Sequence, residues 1–257
     1  MIYRKHYLNQ IRPFYGTDVI KVITGMRRSG KSVILEQIRD EIKAANPDVE
    51  TFYLDLEERR NAAYLAKDVL FNELTKILDV AGKRKVAIFL DEIHDVEEWE
   101  LQVNSIRKRK NADIYITGSN SKLLSGELAT YLTGRTVEFE IAPFSFGEFR
   151  EATKEYWGGL PADDLFGKYL ECGGLPFLTQ IRFQPQASQT YLDDLYWAIL
   201  SKDVMRRLKI RDVDMLDRIV RYVITEIGHV FSSRSIVRFL KNERRTTTVE
   251  TVLAYLR

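Results

Sequence analysis

Short apolar runs alternate with helical patterns along the first half of the chain. Val19 to Ile23 is a short apolar run, and the apolar residues from Val33 to Ile42 recur at helical spacing. Val86 to Leu90 is apolar throughout, which is typical of a strand buried on both faces. Further strands are predicted at Thr51 to Leu56, Ile114 to Thr117 and Thr136 to Ile141, and further helices at Val69 to Leu78, Trp99 to Arg109 and Leu123 to Leu132. This alternation predicts an α/β fold, with a parallel sheet and helices on both of its faces.

The pattern changes at Pro143. Aromatic residues such as Phe146, Phe149 and Tyr169 then occur in helix-like segments that glycines interrupt, and no further buried strand is indicated. A chain of 257 residues is long enough for a core followed by a smaller module. We therefore predict a sheet-containing core over residues 1–142, a helical region over 143–211 and a C-terminal module over 212–257.

The C-terminal module has the pattern of three helices. The first contains Leu216 and is closed by Gly228, the second begins at Ser232 or Ser233, and the third begins near Val249. Three helices with a short polar turn fit a helix-turn-helix, whose last helix enters the major groove of DNA.

The positive charge of the chain is concentrated in this module. From Gly228 onward, six basic residues against two acidic ones give a charge of +4, whereas the whole chain carries +2. The basic residues are Arg234, Arg238, Lys241, Arg244, Arg245 and Arg257. This concentration makes DNA a candidate partner, and the alternative is a solvated helix face.

Cysteine usage and hydropathy bear on the compartment. The single cysteine, Cys172, cannot form an internal disulfide and fits a reducing compartment, so we expect a cytoplasmic protein. The first residues lack the apolar core of a signal peptide, and no apolar run approaches the roughly 20 residues of a membrane helix. We therefore expect no membrane insertion.

A glycine-containing loop lies between the first predicted strand and helix. Its sequence matches the eight-residue phosphate-binding loop pattern, and it consists of Gly25, Met26, Arg27, Arg28, Ser29, Gly30, Lys31 and Ser32, with Val33 next. The glycines let backbone N–H groups surround phosphates, and the helix start adds the positive end of its dipole. We expect Lys31 to reach the β- and γ-phosphates and the Ser32 hydroxyl to bind Mg²⁺. The alternative is a chance glycine-rich turn.

Two acids end the strand of Val86 to Leu90. In a parallel sheet, Asp91 and Glu92 would lie beside the phosphate-binding loop. Asp91 is predicted to hold Mg²⁺ through water, and Glu92 to act as general base on a water molecule. Because a kinase does not need a carboxylate that positions water, Glu92 favours hydrolysis. Acids in a solvated turn are the alternative for both residues. His94 is interpreted as a turn residue, and the alternative is a contact with phosphate or water.

The combination of motifs resembles the bacterial and archaeal AAA-superfamily ATPases whose core is followed by a further domain. The resemblance runs from Arg4 to about Leu256. Besides the loop and Leu90 to Ile93, it rests on Ile116 to Ser119, Leu132 to Arg135, Pro143 to Phe146 and Gly173 to Pro176. It implies a P-loop ATPase with an additional glutamate, a five-strand parallel core, a helical lid and a winged helix, with ATP and Mg²⁺ as cofactors.

The resemblance also implies roles for individual residues. Ser119 or Asn120 would sense the γ-phosphate, unless they only cap a helix. Arg135 would reach a neighbouring subunit's nucleotide, which implies a homo-oligomer, unless it is a surface arginine. Pro176 would contact adenine, unless it belongs to a plain interhelical turn. Because the family continues beyond the end of this chain, we expect a truncated C-terminal module.

Three functions follow from these residues. The first is a nucleotide-dependent switch or motor that hydrolyses ATP and has DNA as one candidate target. The second is a DNA-binding or signalling regulator that holds ATP with little turnover. The third is a small-molecule kinase.

Overall fold

The computed structural model describes residues 2–118, 132, 134–205, 210, 212–242 and 247–256. The chain forms two compact units, Met1–Pro185 and Gln186–Arg257. Residues 119–131 lie outside the described part, and with them Ser119, Asn120 and the helix predicted from Leu123. The three-part division at residues 142 and 211 stays a prediction.

A parallel sheet lies at the centre of the first unit. Its strands are β1 (Ile20–Thr24), β2 (Glu50–Asp55), β3 (Val86–Asp91), β4 (Ala112–Thr117) and β5 (Thr136–Glu140), in the order β2-β3-β4-β1-β5. All four neighbouring pairs run parallel. The predicted α/β fold is therefore confirmed, and each strand lies within two residues of its predicted bounds.

Helices cover both faces of this sheet. The helices of the sheet region are α1 (Lys5–Ile11), α2 (Lys31–Ala45), α3 (Val69–Ala81) and α4 (Trp99–Arg107). Ile34 and Ile38 of α2 pack with Phe89 and Tyr115 on one face, while α3 and α4 pack on the other face against residues such as Ile88. Burial on both faces explains why β1, β3 and β4 have no exposed position.

Four short helices complete the first unit. They are α5 (Phe146–Ala152), α6 (Lys154–Trp157), α7 (Ala162–Cys172) and α8 (Pro176–Gln180). A capping box between Ser145 and Glu148 begins α5. Phe149 is fully buried, with its ring centroid 5.3 Å from that of Phe183. This aromatic cluster makes α5 to α8 a helical region in the same compact unit as the sheet.

The second unit is helical in its described part. It contains α9 (Pro185–Ala198), which begins at the boundary, a π-helical stretch (Ile199–Met205), α10 (Val213–Thr225), α11 (Ser233–Asn242) and α12 (Val249–Leu256). A small core joins the last three helices through Met215, Ile219, Ile236, Leu240 and Val252. The predicted C-terminal helical region is confirmed. Arg244 and Arg245 lie outside the described residues.

One ion pair is buried within the sheet. The Lys21 ammonium on β1 contacts the Asp113 carboxylate on β4 and also donates to the Val19 carbonyl at 2.9 Å. Asp113 accepts further hydrogen bonds from the Tyr115 hydroxyl and the Gly16 N–H, each at 2.9 Å. Burial lowers the pKa of Lys21 although Asp113 opposes this shift. The pair joins the two central strands β1 and β4 near their amino ends.

We expect Asp113→Ala to lower the free energy of unfolding by about 3–5 kcal/mol, because it leaves the Lys21 charge buried without its carboxylate. Asp79→Ala is the matched control, since Asp79 pairs with Arg109 on the surface and should contribute little. Urea unfolding measures both variants. Equal effects of the two substitutions would contradict a special role for the buried pair.

Candidate functional site

The loop from Gly25 to Ser32 connects β1 to α2, and its backbone requires glycine at Gly25. Gly25 has φ +138°, and a Cβ atom there would lie 2.3 Å from the Ile141 carbonyl oxygen. Gly30 also has positive φ, at +98°, directly before α2. An alanine at Gly25 would therefore displace either the loop or the chain that leaves β5.

The Lys31 ammonium lies inside this loop. Lys31 is 5 % exposed, and its Nζ donates to the carbonyl oxygens of Gly25 at 3.2 Å and Met26 at 3.3 Å. The same atom lies 3.5 Å from Glu92 Oε1, beyond the carboxyl end of β3. The loop therefore directs a buried positive charge toward the acids at the strand end.

Asp91 is held by hydroxyl groups on both sides. The Tyr53 hydroxyl donates to Asp91 Oδ2 at 2.9 Å, and the Thr117 hydroxyl donates to Asp91 Oδ1. Thr117 Oγ1 also accepts the Glu92 backbone N–H at 2.9 Å. Sequence reasoning missed both residues. Thr117 ends the fourth predicted strand, but only the strand order places it and Tyr53 beside β3.

Glu92 begins the turn after β3 in a left-handed conformation, with φ +54°. Burial raises the pKa of its carboxyl, whereas the contact with His94 and the charges of Lys31 and Arg27 lower it. The lowering effects together outweigh burial, so the pKa lies below the usual value. His94 Nδ1 lies 3.1 Å from Glu92 Oε2 without the alignment of a hydrogen bond. Glu92 is therefore ionised at neutral pH.

The loop and the acids line one cavity of about 290 Å³. The basic residues Arg27, Arg28 and Lys31 line it together with the acids Asp55, Glu57, Asp91 and Glu92. The exposed Ser32 also lines it, as do Val33 and Pro176. Hydroxyl and carboxylate oxygens suit Mg²⁺, and cations suit phosphate, so these residues fit a magnesium–phosphate group.

A second cavity, of about 890 Å³, shares Gly30, Val33, Pro176 and Gln180 with the first. Ile2, Phe144 and Pro176 supply apolar wall, Thr179 and Gln180 add polar groups, and the charged residues that line it are Arg4, Glu151, Lys154 and Glu155. A mostly apolar cleft with a few polar groups suits a flat heterocyclic ring. The two cavities together fit a base joined to phosphates.

Pro176 is held at the junction of the cavities by its turn. The Phe144 N–H donates to the Gly174 carbonyl at 2.7 Å, and a Cβ atom on Gly174 would lie 2.3 Å from the Phe144 carbonyl oxygen. This close approach requires glycine at Gly174. Pro176 follows as the first residue of α8, where its missing N–H costs nothing.

Arg4 links the loop to the helical region. Arg4 is 1 % exposed and forms a bidentate pair with Glu148, with Nε to Oε1 at 2.8 Å and Nη2 to Oε2 at 2.9 Å. Its Nη1 donates to the carbonyl oxygens of Ser29 and Ala142, each at 3.0 Å. Arg4 therefore joins the N-terminal segment, the loop, the exit of β5 and α5. Sequence reasoning did not identify this role.

The other residues predicted for the site differ in where they lie. Arg135 lines neither cavity, and its Nη1 donates to Asn104 Oδ1 at 3.2 Å. The Met26 side chain is 42 % exposed. Ser29 is buried, and its hydroxyl has no hydrogen-bond partner among the described residues. Ser119 and Asn120 lie outside the described residues.

A family model described as an AAA domain matches residues 17–150, which include the loop, both acids and all five strands. The chain belongs to the AAA domain family. It is 36 % identical over 258 aligned residues to an uncharacterized protein of Haemophilus influenzae, covering all of this chain and 64 % of that protein. It is 32 % identical to an uncharacterized protein of Methanocaldococcus jannaschii, covering 92 % of this chain and 53 % of that protein. The chain thus spans less than two thirds of either relative.

Solved structures share the AAA fold. AMPPCP-bound DnaA from Aquifex aeolicus matches with a TM-score of 0.52 and 15 % identity, over 99 % of this AAA chain and 86 % of DnaA. A DNA replication initiation factor matches with a TM-score of 0.50 and 14 % identity, over 96 % of this chain and 84 % of the other. At this identity the likeness concerns the fold alone, and together with the family model it confirms the AAA-superfamily P-loop fold. Among the described residues, no helix has the length and apolarity to cross a membrane.

We expect Arg4→Lys to speed amide exchange in the loop from Gly25 to Ser32 by about tenfold or more. Hydrogen bonds to a charged group contribute about 1.5–3 kcal/mol, and one ammonium cannot replace the forked contacts of the guanidinium. Arg12→Lys is the matched control, because Arg12 also forms a bidentate pair with a glutamate, Glu41, but does not contact the loop. Hydrogen–deuterium exchange measures both. If amide exchange in the loop is unchanged in Arg4→Lys, Arg4 does not stabilise the loop.

Proposed function

We propose that this AAA-family chain binds ATP with Mg²⁺ and hydrolyses it, as a nucleotide-dependent switch or motor. The observation that carries the proposal is the meeting of Lys31, Ser32, Asp91 and Glu92 around one cavity. A buried cation, a hydroxyl and two carboxylates at the end of a phosphate-binding loop are the groups that phosphoryl transfer to water needs.

In this proposal, the phosphates of ATP occupy the smaller cavity and the adenine occupies the larger one. Lys31 contacts the β- and γ-phosphates, and backbone N–H groups of Gly25 to Ser32 surround them. Adenine lies between Phe144 and Pro176, which form apolar wall of the larger cavity. Gly30 and Val33 line both cavities, which supports this arrangement, because one nucleotide must extend from one cavity into the other.

Ser32 and Asp91 are the residues that would hold Mg²⁺. Asp91 already accepts two hydroxyl hydrogen bonds, but its carboxylate has about four acceptor sites and can still bind water on the ion. When bound, Mg²⁺ offsets the charge that builds up on the phosphates. Thr117 and Tyr53 keep the Asp91 carboxylate in one orientation.

Glu92 is proposed as the general base. It accepts a proton from water as the water oxygen bonds to the γ-phosphorus and the bond to the β-phosphate oxygen breaks, which releases ADP and phosphate. Because its pKa is lowered, chiefly by the contact with His94 and the charge of Lys31, Glu92 is ionised and available as a base at neutral pH.

Two further functions use the same site differently. A regulator that holds ATP without turnover would bind nucleotide and release no phosphate, and a small-molecule kinase would form ADP only with its substrate present. We favour hydrolysis because Glu92 is ionised and close to Lys31, where a water-activating base is needed. Sensing by Ser119 or Asn120 and a contact from Arg135 to a neighbouring subunit remain part of the proposal.

We expect Lys31→Ala to weaken ATP binding, and Glu92→Gln to leave binding within a few-fold while lowering turnover by about 10²-fold or more. Lys31 contacts phosphate, whereas Glu92 acts only on water. Glu98→Gln is the matched control, since Glu98 pairs with Lys67 on the surface. Equilibrium nucleotide binding and steady-state phosphate release measure the three variants. Normal turnover in Glu92→Gln would disprove the role of Glu92.

A second proposal concerns DNA binding by the C-terminal unit. Arg234, Arg238 and Lys241 are exposed on α11 at positions separated by four and three residues, so they share one face of the helix. A row of cations suits the phosphate backbone of DNA. In contrast, Arg218 and Arg221 on α10 pair with Asp214 and Asp217 of the same helix.

We expect the double substitution Arg234→Ala and Arg238→Ala to weaken DNA binding. The slope of the logarithm of the binding constant against the logarithm of the salt concentration should become shallower by about two. Each arginine that contacts phosphate releases about one counterion. The double substitution Arg218→Ala and Arg221→Ala removes the same charge and serves as control. Fluorescence anisotropy with a labelled duplex at several salt concentrations measures both. If the two double variants behave alike, only net charge matters and the α11 face is not the DNA surface.

A further inference from the structure

Arg27 lies within the phosphate-binding loop and lines the cavity assigned to phosphates, together with Lys31 and Glu92. Its side chain is only 20 % exposed. A second cation besides Lys31 therefore belongs to this site from the same chain.

Arg27 is paired with a carboxylate that also lines this cavity. Its Nη1 lies 3.5 Å from Glu57 Oε1, and the Glu57 side chain is 56 % exposed. Glu57 follows β2 in a turn that is fixed by its own N–H, which donates to Asp55 Oδ1 at 2.9 Å. An ion pair of this length with an exposed carboxylate contributes little in water. Arg27 can therefore exchange this partner for a stronger one.

The charges of the cavity favour such an exchange. Without ligand, the three cations Arg27, Arg28 and Lys31 face the four acids Asp55, Glu57, Asp91 and Glu92. The γ-phosphate brings several negative charges close to this acidic wall. Phosphate oxygens form short, charge-assisted and often bidentate hydrogen bonds with a guanidinium. A γ-phosphate should therefore attract Arg27 away from Glu57.

We propose that Arg27 is a catalytic arginine that acts on the ATP of its own chain, and that Glu57 holds it aside until the γ-phosphate is bound. The inference rests on the proposed ATP hydrolysis. Arg27 then donates two hydrogen bonds to oxygens of the γ-phosphoryl group and keeps its proton throughout. Water bonds to phosphorus, its proton passes to Glu92, and the bond to the β-phosphate oxygen breaks with its electron pair leaving on ADP.

This position explains why the arginine acts in the transition state. Charge on the γ-phosphoryl group is spread over its equatorial oxygens as the reaction proceeds, and a planar guanidinium matches that arrangement. Arg135, by contrast, lines neither cavity and contacts Asn104. If Arg27 is the catalytic arginine, the positive charge on the γ-phosphate comes from the same chain. If Arg135 is, it comes from a neighbouring subunit.

The test compares Arg27→Ala with wild type at saturating ATP. We expect turnover to fall by about 10³-fold or more, whereas ADP affinity changes only a few-fold. Affinity for ADP with aluminium fluoride, which imitates the transferring phosphoryl group, should fall much more than affinity for ADP. Glu57→Gln should bind ATP a few-fold more tightly, because Arg27 is then no longer held aside. Arg84→Ala is the control, because Arg84 forms a similar exposed pair with Glu50 at the other end of β2.

Mixed subunits separate action in cis from action in trans. Mixtures of Arg27→Ala and Glu92→Gln chains should show no recovery of turnover, because no single chain then has both groups. Recovery in the mixture, or turnover of Arg27→Ala within about tenfold of wild type, would overturn the proposal. Wild-type chain that binds ATP without releasing phosphate would overturn the proposed hydrolysis and this inference with it. Normal wild-type turnover with an active Arg27→Ala would overturn only the inference.

Discussion

The site depends on one buried guanidinium more than on any other contact. Arg4 holds the Ser29 carbonyl of the loop, the Ala142 carbonyl after β5 and the Glu148 carboxylate of α5 at the same time. No other side chain type offers five donors in a fixed plane, and removing one member of such a buried pair leaves an uncompensated charge. Arg4 and Ser29 also line the larger cavity, so these contacts help to shape it.

The parallel sheet supplies the rest of the site. The strand order places β3 between β2 and β4, so the carboxyl end of β3 receives Tyr53 from one neighbour and Thr117 from the other. β1 lies between β4 and β5, which brings the loop to the same edge. Lys31 therefore reaches Glu92 across a gap of 3.5 Å although the two residues are far apart in sequence. The strand order thus brings the loop and the acids together at one edge of the sheet.

The strands could be predicted from sequence because residues such as Val86 to Leu90 are apolar and buried on both faces. The loop could be predicted because its eight-residue motif stands between a predicted strand and a predicted helix. The acids could be predicted because they directly follow a continuous apolar strand. Lys21 shows the limit, since a lysine in a strand reveals neither its burial nor its partner Asp113. The roles of Arg4 and Thr117 could not be predicted either, because both depend on contacts between segments that are distant in sequence. Glu148, for example, is 144 residues from Arg4.

The central claim is that ATP bound at this site is hydrolysed there. Single-turnover phosphate release tests it most directly, with the wild-type chain in excess over ATP and Mg²⁺ so that every nucleotide is bound. We expect one phosphate to be released for each ATP bound, and the bound nucleotide to be recovered as ADP. Recovery of intact ATP from the complex after prolonged incubation would contradict hydrolysis and leave a protein that only holds its nucleotide.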